Sequence, residues 1–374
     1  MSVPLSAMLL RWSILHALGL GVLLAFGAGM TATAALRPPA GYLAAVQTRP
    51  GTAEPCKQAP PPFTAELDFP SKYAGSGSSR DEINPAADAE FKRATQPITQ
   101  MEKGFSASVT KYMHSGDPAL LQCALGWLSD WAGARALEGN ALNHTGKSLR
   151  KWSLASISSA YLRLKFSSSA PLKNYPAEAA RAEAWMSDVA NRVKREWPPD
   201  DPTAKINNHY YWAAWAMMAT AVATNRRDLF DQATAIYRVF ATQVDPEGYL
   251  PNELARSSRA AGYHIYAMLP LAMLAAFGKA NGTDLEAQGD HALRRLAQRV
   301  QLAIDDPASF AAKVGAQQNI DSSDSKSAWA WLEPYCWTVN CTPQLQTRLT
   351  SQRPLAVTRL GGDLTAVFSG LAQP

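Results

Sequence analysis

The sequence predicts an all-α domain, a toroid of antiparallel helix pairs around an open cleft. Three observations point there. Apolar residues recur at three- and four-residue spacing over most of the chain beyond Asp81. Breakers cut that pattern into pieces of helix length, at Pro171, Pro198-Pro199, Pro246, Gly248, Pro251, Gly282 and Pro307. No run alternates convincingly as a strand does; Ala356 to Val367 comes nearest. A solenoid is disfavoured because no repeat consensus is visible. A toroid of inner and outer helices fits 374 residues and gathers its inter-helix loops around one cleft.

The elements follow in order. Residues 1–34 read as a secretory signal peptide. Arg11 is the only charged side chain there, and Ile14 to Met30 is apolar apart from His16. Thr31-Ala32-Thr33-Ala34-Ala35 then offers an A-x-A-like site, with cleavage expected after Ala34. An uncleaved anchor is the alternative, since the apolar run nears a spanning length, but the small-residue site follows directly. No later stretch reads as long enough to span; Ala267 to Phe277 is too short. Residues 35–374 are thus expected to form a single exported domain with no stable membrane insertion. Its entry, up to residue 70, is Pro-rich around Pro60-Pro61-Pro62 and reads as an extended arm. Ser71 to Ser79 is a Ser/Gly loop. Helices are expected at Ala86–Met113, then at Pro118–Leu137, opened by the cap-then-proline pair Asp117-Pro118. Others are expected at Lys147–Phe166, Pro176–Glu196, Asn208–Thr224, Asp228–Val244, Ser258–Lys279, Glu286–Ile304 and Ser323–Leu332.

Composition narrows the function classes. With 47% hydrophobic residues and a net charge of only +5, disorder is excluded. The charge is too weak to demand nucleic acid, but it suits a polyanion if the cations are gathered in one place. Four cysteines in an exported chain favour disulfides over zinc, and no CxxC pair or HExxH exists. Of three connectivities, Cys56–Cys123 with Cys336–Cys341 is preferred, because each bridge ties a loop end to nearby chain. No metal and no cofactor are expected.

Four segments carry chemistry. Lys205 to Trp215 crowds amides, an imidazole, phenols and indoles at a helix start, with Asn207 or Asn208 as the cap. Asn208, Trp212 and Trp215 share a face, and His209 lies one turn from Trp212. Rings beside polar groups suit a sugar, although a buried aromatic helix would look the same. In Leu250 to Tyr266, Arg256, Arg259, Tyr263 and Tyr266 combine fixed cations with phenols. Arginine grips carboxylates, and a nearby cation favours the phenolate that makes tyrosine a base. Asn143 to Trp152 contains Gly-Lys-Ser, but a Walker A loop needs a glycine where Ala141 stands. Lys147, Arg150 and Lys151 there could still face an anion or simply be solvated. Lys72-Tyr73 with Arg80 could close over a substrate. Glu253, Asp245 and Glu333 are scattered candidates for a hydrolase acid and base, and no pair stands out. Gly361-Gly362-Asp363 after Arg359 looks like a turn.

Together these segments resemble the periplasmic alginate lyases of polysaccharide lyase family 5, the poly(β-D-mannuronate) lyases. The resemblance is carried by Ser71-Lys72-Tyr73, NHTGKSLRK at 143–151 and INNHYYWAAWAMMATAVA at 206–223. TNRRDLFD at 224–231, PNEL at 251–254, WLEPYC at 331–336 and RLGGD at 359–363 complete it, in family order. It implies an incomplete (α/α) toroid acting as an endolytic, mannuronate-preferring lyase on an anionic polysaccharide. It also implies Tyr263, His209, Asn208 and Arg256 as the catalytic group, Trp212 stacking on the sugar and Lys72 in a lid. Tyr73, His144 and Lys147 join Lys72 and Trp212 as substrate-binding residues. The lid departs from the family pattern: Ala74 and Gly77 stand where acidic residues are usual.

The implied chemistry is β-elimination. Arg256, with Asn208 and a suitably protonated His209, would neutralise the uronate carboxylate, and Tyr263 would take the carbon-5 proton and return it to the leaving oxygen. A lyase for another polyuronate such as polyglucuronate is the enzyme alternative. A non-catalytic polyuronate-binding protein of an export assembly is the alternative from another class. The expected location is the periplasm, as a monomer, with an association to an alginate export assembly.

Overall fold

The computed structural model describes residues 34–47, 56–73, 75, 77–320 and 326–370. The expected signal peptide, apart from Ala34, and lid residue Ala74 lie outside the described residues. Residues 36–374 belong to one compact unit.

Its helices form two rows. The inner row is α2 (Gln96–Ser115), α4 (His144–Phe166), α6 (Asn208–Thr224), α9 (Ala260–Ala280) and α12 (Leu332–Thr338), each packed on the next. Backing it are α3 (Pro118–Gly133), α5 (Pro176–Glu196), α7 (Arg227–Gln243) and α10 (Gln288–Asp305). The rows differ as the sequence does. Helix α6 is apolar all round and almost every residue is buried. Helices α7 and α10 bury one stripe and leave charged residues outside. This is an (α/α) toroid, left incomplete because a C-terminal segment, not a helix, packs back onto α2 and α4. Helix α9 with its leading turn, Ser257–Ala280, is long and apolar enough to cross a membrane. The apolar run, expected to end at Phe277 and to be too short to span, thus continues to Ala280. Its most apolar window is 83% buried, because α6, α10 and α12 pack around it.

Prolines explain where sequence and structure part. The helix expected over Ala86–Met113 is two, α1 (Pro85–Ala94) and α2, broken at Thr95 because Pro97 cannot continue the helix before it. Pro251, Pro307 and Pro343, by contrast, start helices: α8 (Pro251–Leu254), α11 (Pro307–Val314) and α13 (Pro343–Gln352). A missing N–H costs nothing in a first turn. Asn143 caps α4 by accepting from the Gly146 N–H at 2.8 Å, so α4 begins at His144, three residues early. The doubtful strand at Ala356–Val367 reduces to β1 (Ala356–Val357) paired antiparallel with β2 (Gly362–Asp363), followed by α14 (Leu364–Phe368).

Two extended segments close on this frame. The N-terminal arm is held by the Cys56–Cys123 disulfide and by Trp131 Nε1 donating to the Pro60 carbonyl at 2.9 Å. It is also held by a parallel bridge from Leu67 to Ala141. A side chain at Gly146 would collide with the Leu67 carbonyl, so the glycine of the false Gly-Lys-Ser motif lets the arm lie on α4. The C-terminal segment needs Gly361 in the same way. Its φ is +94°, and a Cβ there would sit 2.9 Å from the Ser159 carbonyl of α4. The second disulfide is Cys336–Cys341, so both bridges follow the preferred pairing.

Candidate active site

The arm ends, and the C-terminal segment turns, above the inner face of α4, α6 and α9. Between them opens a cleft of about 670 Å³. The arm brings Lys72 and Tyr73, and its loop brings Arg80. Helix α4 brings His144, Ser148 and Trp152. Asn208 and His209 come from the first turn of α6, Arg256 from the turn after α8, and Arg259, Tyr263 and Tyr266 from the start of α9. Arg359 comes from the C-terminal turn. The described lining thus carries five Lys or Arg side chains and no Asp or Glu.

Cap geometry sets the first turn of α6. Asn207 is the cap and accepts from the His209 N–H at 3.0 Å. Asn208 therefore turns inward, fully buried, toward Glu253. One Glu253 oxygen accepts the Asn208 backbone N–H at 2.6 Å and its Nδ2–H at 2.9 Å. The other lies 3.8 Å from Arg256 Nε. Glu253 is fully buried, and burial raises its carboxyl above the ordinary value while Asn208 and Arg256 pull it down. It holds Asn208 and Arg256 in place and does not line the cleft. Asn208 Oδ1 is buried with no partner.

His209 sits among rings. Trp197 stacks on it at 6.0 Å, Trp152 lies on it at 5.6 Å, and His144 meets it edge-on at 4.5 Å. Burial first, then Lys151, holds its pKa well below the ordinary imidazole value. Burial and the neighbouring Lys151 thus favour the neutral imidazole at His209. His144 is held down to about 4, by the packing around its ring and next by Lys151.

Tyr263 donates from its hydroxyl to the Tyr73 hydroxyl at 3.3 Å, and the Arg256 guanidinium lies 4.6 Å from its ring centre. Burial pushes this phenol up, Tyr73 pushes the same way, and Arg256 only opposes them. The cation does lower the pKa, as expected, but burial outweighs it, so the resting group is a phenol.

Three residues take other places. Trp212 is fully buried, its ring 4.9 Å from Tyr266, and does not line the cleft. Tyr266 stands between it and the cleft, and Trp152 is the indole that lines it. Lys147 is half-buried and lies outside the lining. Arg150 points the other way, bonded to Glu196 and to the Leu137 and Gly139 carbonyls. Of the hydrolase candidates, Asp245 accepts backbone N–H groups, and Glu333 holds Arg353 and Thr365. The spacing of His144, Ser148 and Trp152 on one helix face was a usable signal for Trp152. Arg359 gave none beyond its place in RLGGD, since its position depends on the Gly361 contact. Among the described residues, no three His, Cys, Asp or Glu stand ready to hold a metal ion.

Comparison with known proteins decides the family. The family model "Alginate lyase" matches residues 68–310. The chain belongs to the alginate lyase family. It is 48% identical over 334 residues to an alginate lyase of Pseudomonas paraeruginosa, covering 89% of this chain and 91% of that one. To an alginate lyase of Azotobacter vinelandii it is 48% identical over 350 residues, covering 93% of each. Its fold matches a variant of alginate lyase A1-III complexed with tetrasaccharide, with TM-score 0.71 and 22% identity, over 87% of this chain and 89% of that one. The match to A1-III of Sphingomonas species A1 has TM-score 0.68 and 22% identity, over 88% and 89%.

Proposed function

We propose that the protein cleaves mannuronate-rich alginate within the chain by β-elimination, leaving an unsaturated uronate at each new non-reducing end. One observation carries this: among the described residues the cleft is lined by cations and phenols, with no carboxylate. A polyanion fits it. Among the described lining residues a glycosidase acid–base pair has no members.

The chemistry falls to neighbours. Arg256 and the N–H of neutral His209 neutralise the uronate carboxylate, with Asn208 beside them, and this acidifies the carbon-5 proton. Tyr263 is the proton carrier. Its own proton passes to Tyr73 along their hydrogen bond while the half-exposed Tyr73 hydroxyl releases its proton to solvent, and the Tyr263 phenolate then takes the carbon-5 proton. In mannuronate that proton and the carbon-4 oxygen share a face, so Tyr263 returns the proton to the leaving oxygen. Lys72, Tyr73 and Arg80 lie over the polymer, and His144 flanks it at the rim. The enzyme works in the periplasm as a monomer alongside an alginate export assembly; two disulfides support an oxidising compartment.

The test is incubation with mannuronate-rich, guluronate-rich and glucuronate polymers while ultraviolet absorbance of the unsaturated product is followed. Fastest rise on the mannuronate-rich polymer is expected. Fastest rise on polyglucuronate would reassign the substrate, and no rise on any would leave a binding protein.

A further inference from the structure

Lys151 is a fully buried amine that the elimination does not use, and burial lowers its pKa well below the ordinary lysine value. It sits one turn after Ser148 on α4 and is 0% exposed. No carboxylate pairs with it among the described residues. Its Nζ lies 3.7 Å from the ring centre of Trp197, 3.2 Å from Ser148 Oγ and 3.0 Å from His209 Nδ1. Ser148 Oγ is also 3.0 Å from His209 Nδ1.

That arrangement has chemical content. An amine nitrogen can donate to Nδ1 with two protons or three, and with three it can only donate. Ser148 accepts from Lys151, which leaves its own hydroxyl proton to point at Nδ1. Nδ1 is therefore an acceptor, and the single proton of a neutral imidazole must sit on Nε2. His209 lines the cleft, and no described group bonds its Nε2. With the proton on Nδ1 instead, the Nε2 lone pair would meet a carboxylate and repel it. The rings of Trp197, Trp152 and His144 fix the plane of the imidazole but not its tautomer; a donor at Nδ1 does that.

We propose that Lys151, with Ser148, locks the His209 proton on Nε2, where it donates to the carboxylate of the uronate being deprotonated. Lys151 is thus a positioning residue, not a substrate-binding cation. The carboxylate half of this inference rests on the lyase reading; the tautomer half does not.

The test reads the tautomer directly. The full mature protein, labelled with nitrogen-15 histidine, is examined by two-dimensional NMR without substrate. The His209 signals are assigned by their loss in His209→Asn. An Nε2–H pattern is expected; an Nδ1–H or doubly protonated ring overturns the proposal. Lys151→Met is expected to shift the ring toward Nδ1–H and to lower kcat roughly tenfold to a hundredfold, with KM nearly unchanged. An unchanged tautomer with unchanged kcat overturns it. If that variant does not fold, Ser148→Ala and the parent spectrum still decide the matter. An Nε2–H ring in a protein that releases no unsaturated product would keep the lock and sink the lyase reading.

Discussion

Two arginines, both nearly buried, face opposite sides of the inner row. Arg150 is 1% exposed and Arg256 is 8% exposed. Arg150, on the side of α4 toward α5, has each of its three nitrogens bonded, to Glu196 and two carbonyls. Arg256, on the cleft side, has a long 3.8 Å approach to Glu253 and a 3.3 Å bond to the Ser79 carbonyl. Charge and burial are alike in the two; the partners differ. A buried cation whose hydrogen bonds are complete holds the fold, and one left short in a cleft is free to meet a substrate anion.

Breaking the cleft side should cost activity. The largest effect is expected from Tyr263→Phe, a fall in kcat of about a thousandfold with polymer binding retained. A binding protein would be indifferent, so turnover and binding measured together decide. Arg256→Ala should lower kcat/KM about a hundredfold while the melting temperature changes little. Arg150→Met should do the reverse. It orphans Glu196 and two carbonyls and should cost about 3 kcal/mol in urea unfolding, with KM unchanged in the folded fraction. Equal effects of the two arginine changes would erase the comparison.

The tryptophans sharpen it. Trp212→Ala should destabilise by about 3 kcal/mol or more through the cavity it leaves. Trp152→Ala should chiefly raise KM for the polymer. The reverse result would return the sugar to Trp212.

The smallest effect is on pH. His264, fully buried, accepts the Leu250 N–H at 2.8 Å and stays neutral, with its pKa held down to about 4 by burial. A depressed imidazole contributes stability that is whole above the unfolded value near 6.5 and is lost as pH falls toward 4. The melting temperature should decline across that window; a flat profile would contradict it.

Much of the fold was legible. Helices α5 and α6 stand at their expected limits, because their periodicity is long and their caps or breakers are strong. Helices α8, α11 and α13 were not, because a proline that stops one helix is also the proline that starts the next. The site was legible in part. Tyr263, Arg256, His209 and Asn208 come to one cleft, as do Lys72, Tyr73 and His144. Trp212 was not separable from the cleft-facing rings, because α6 is apolar on every side. Arg150 and Lys151 are neighbours in sequence and point roughly 100° apart on a helix, a difference that matters only once α5 covers one side.

By itself, the sequence determined the helical class and the residue types at the site, and for the disulfides it gave only a preferred pairing among three. Those depend on local period, on breakers and on side-chain chemistry. The tertiary structure alone decided which indole meets the cleft, which cation is consumed by the fold, and that His209 and Tyr263 rest uncharged. Each of those follows from burial and from partners brought together across long stretches of chain, as when Gly146 admits the arm and Gly361 admits Arg359.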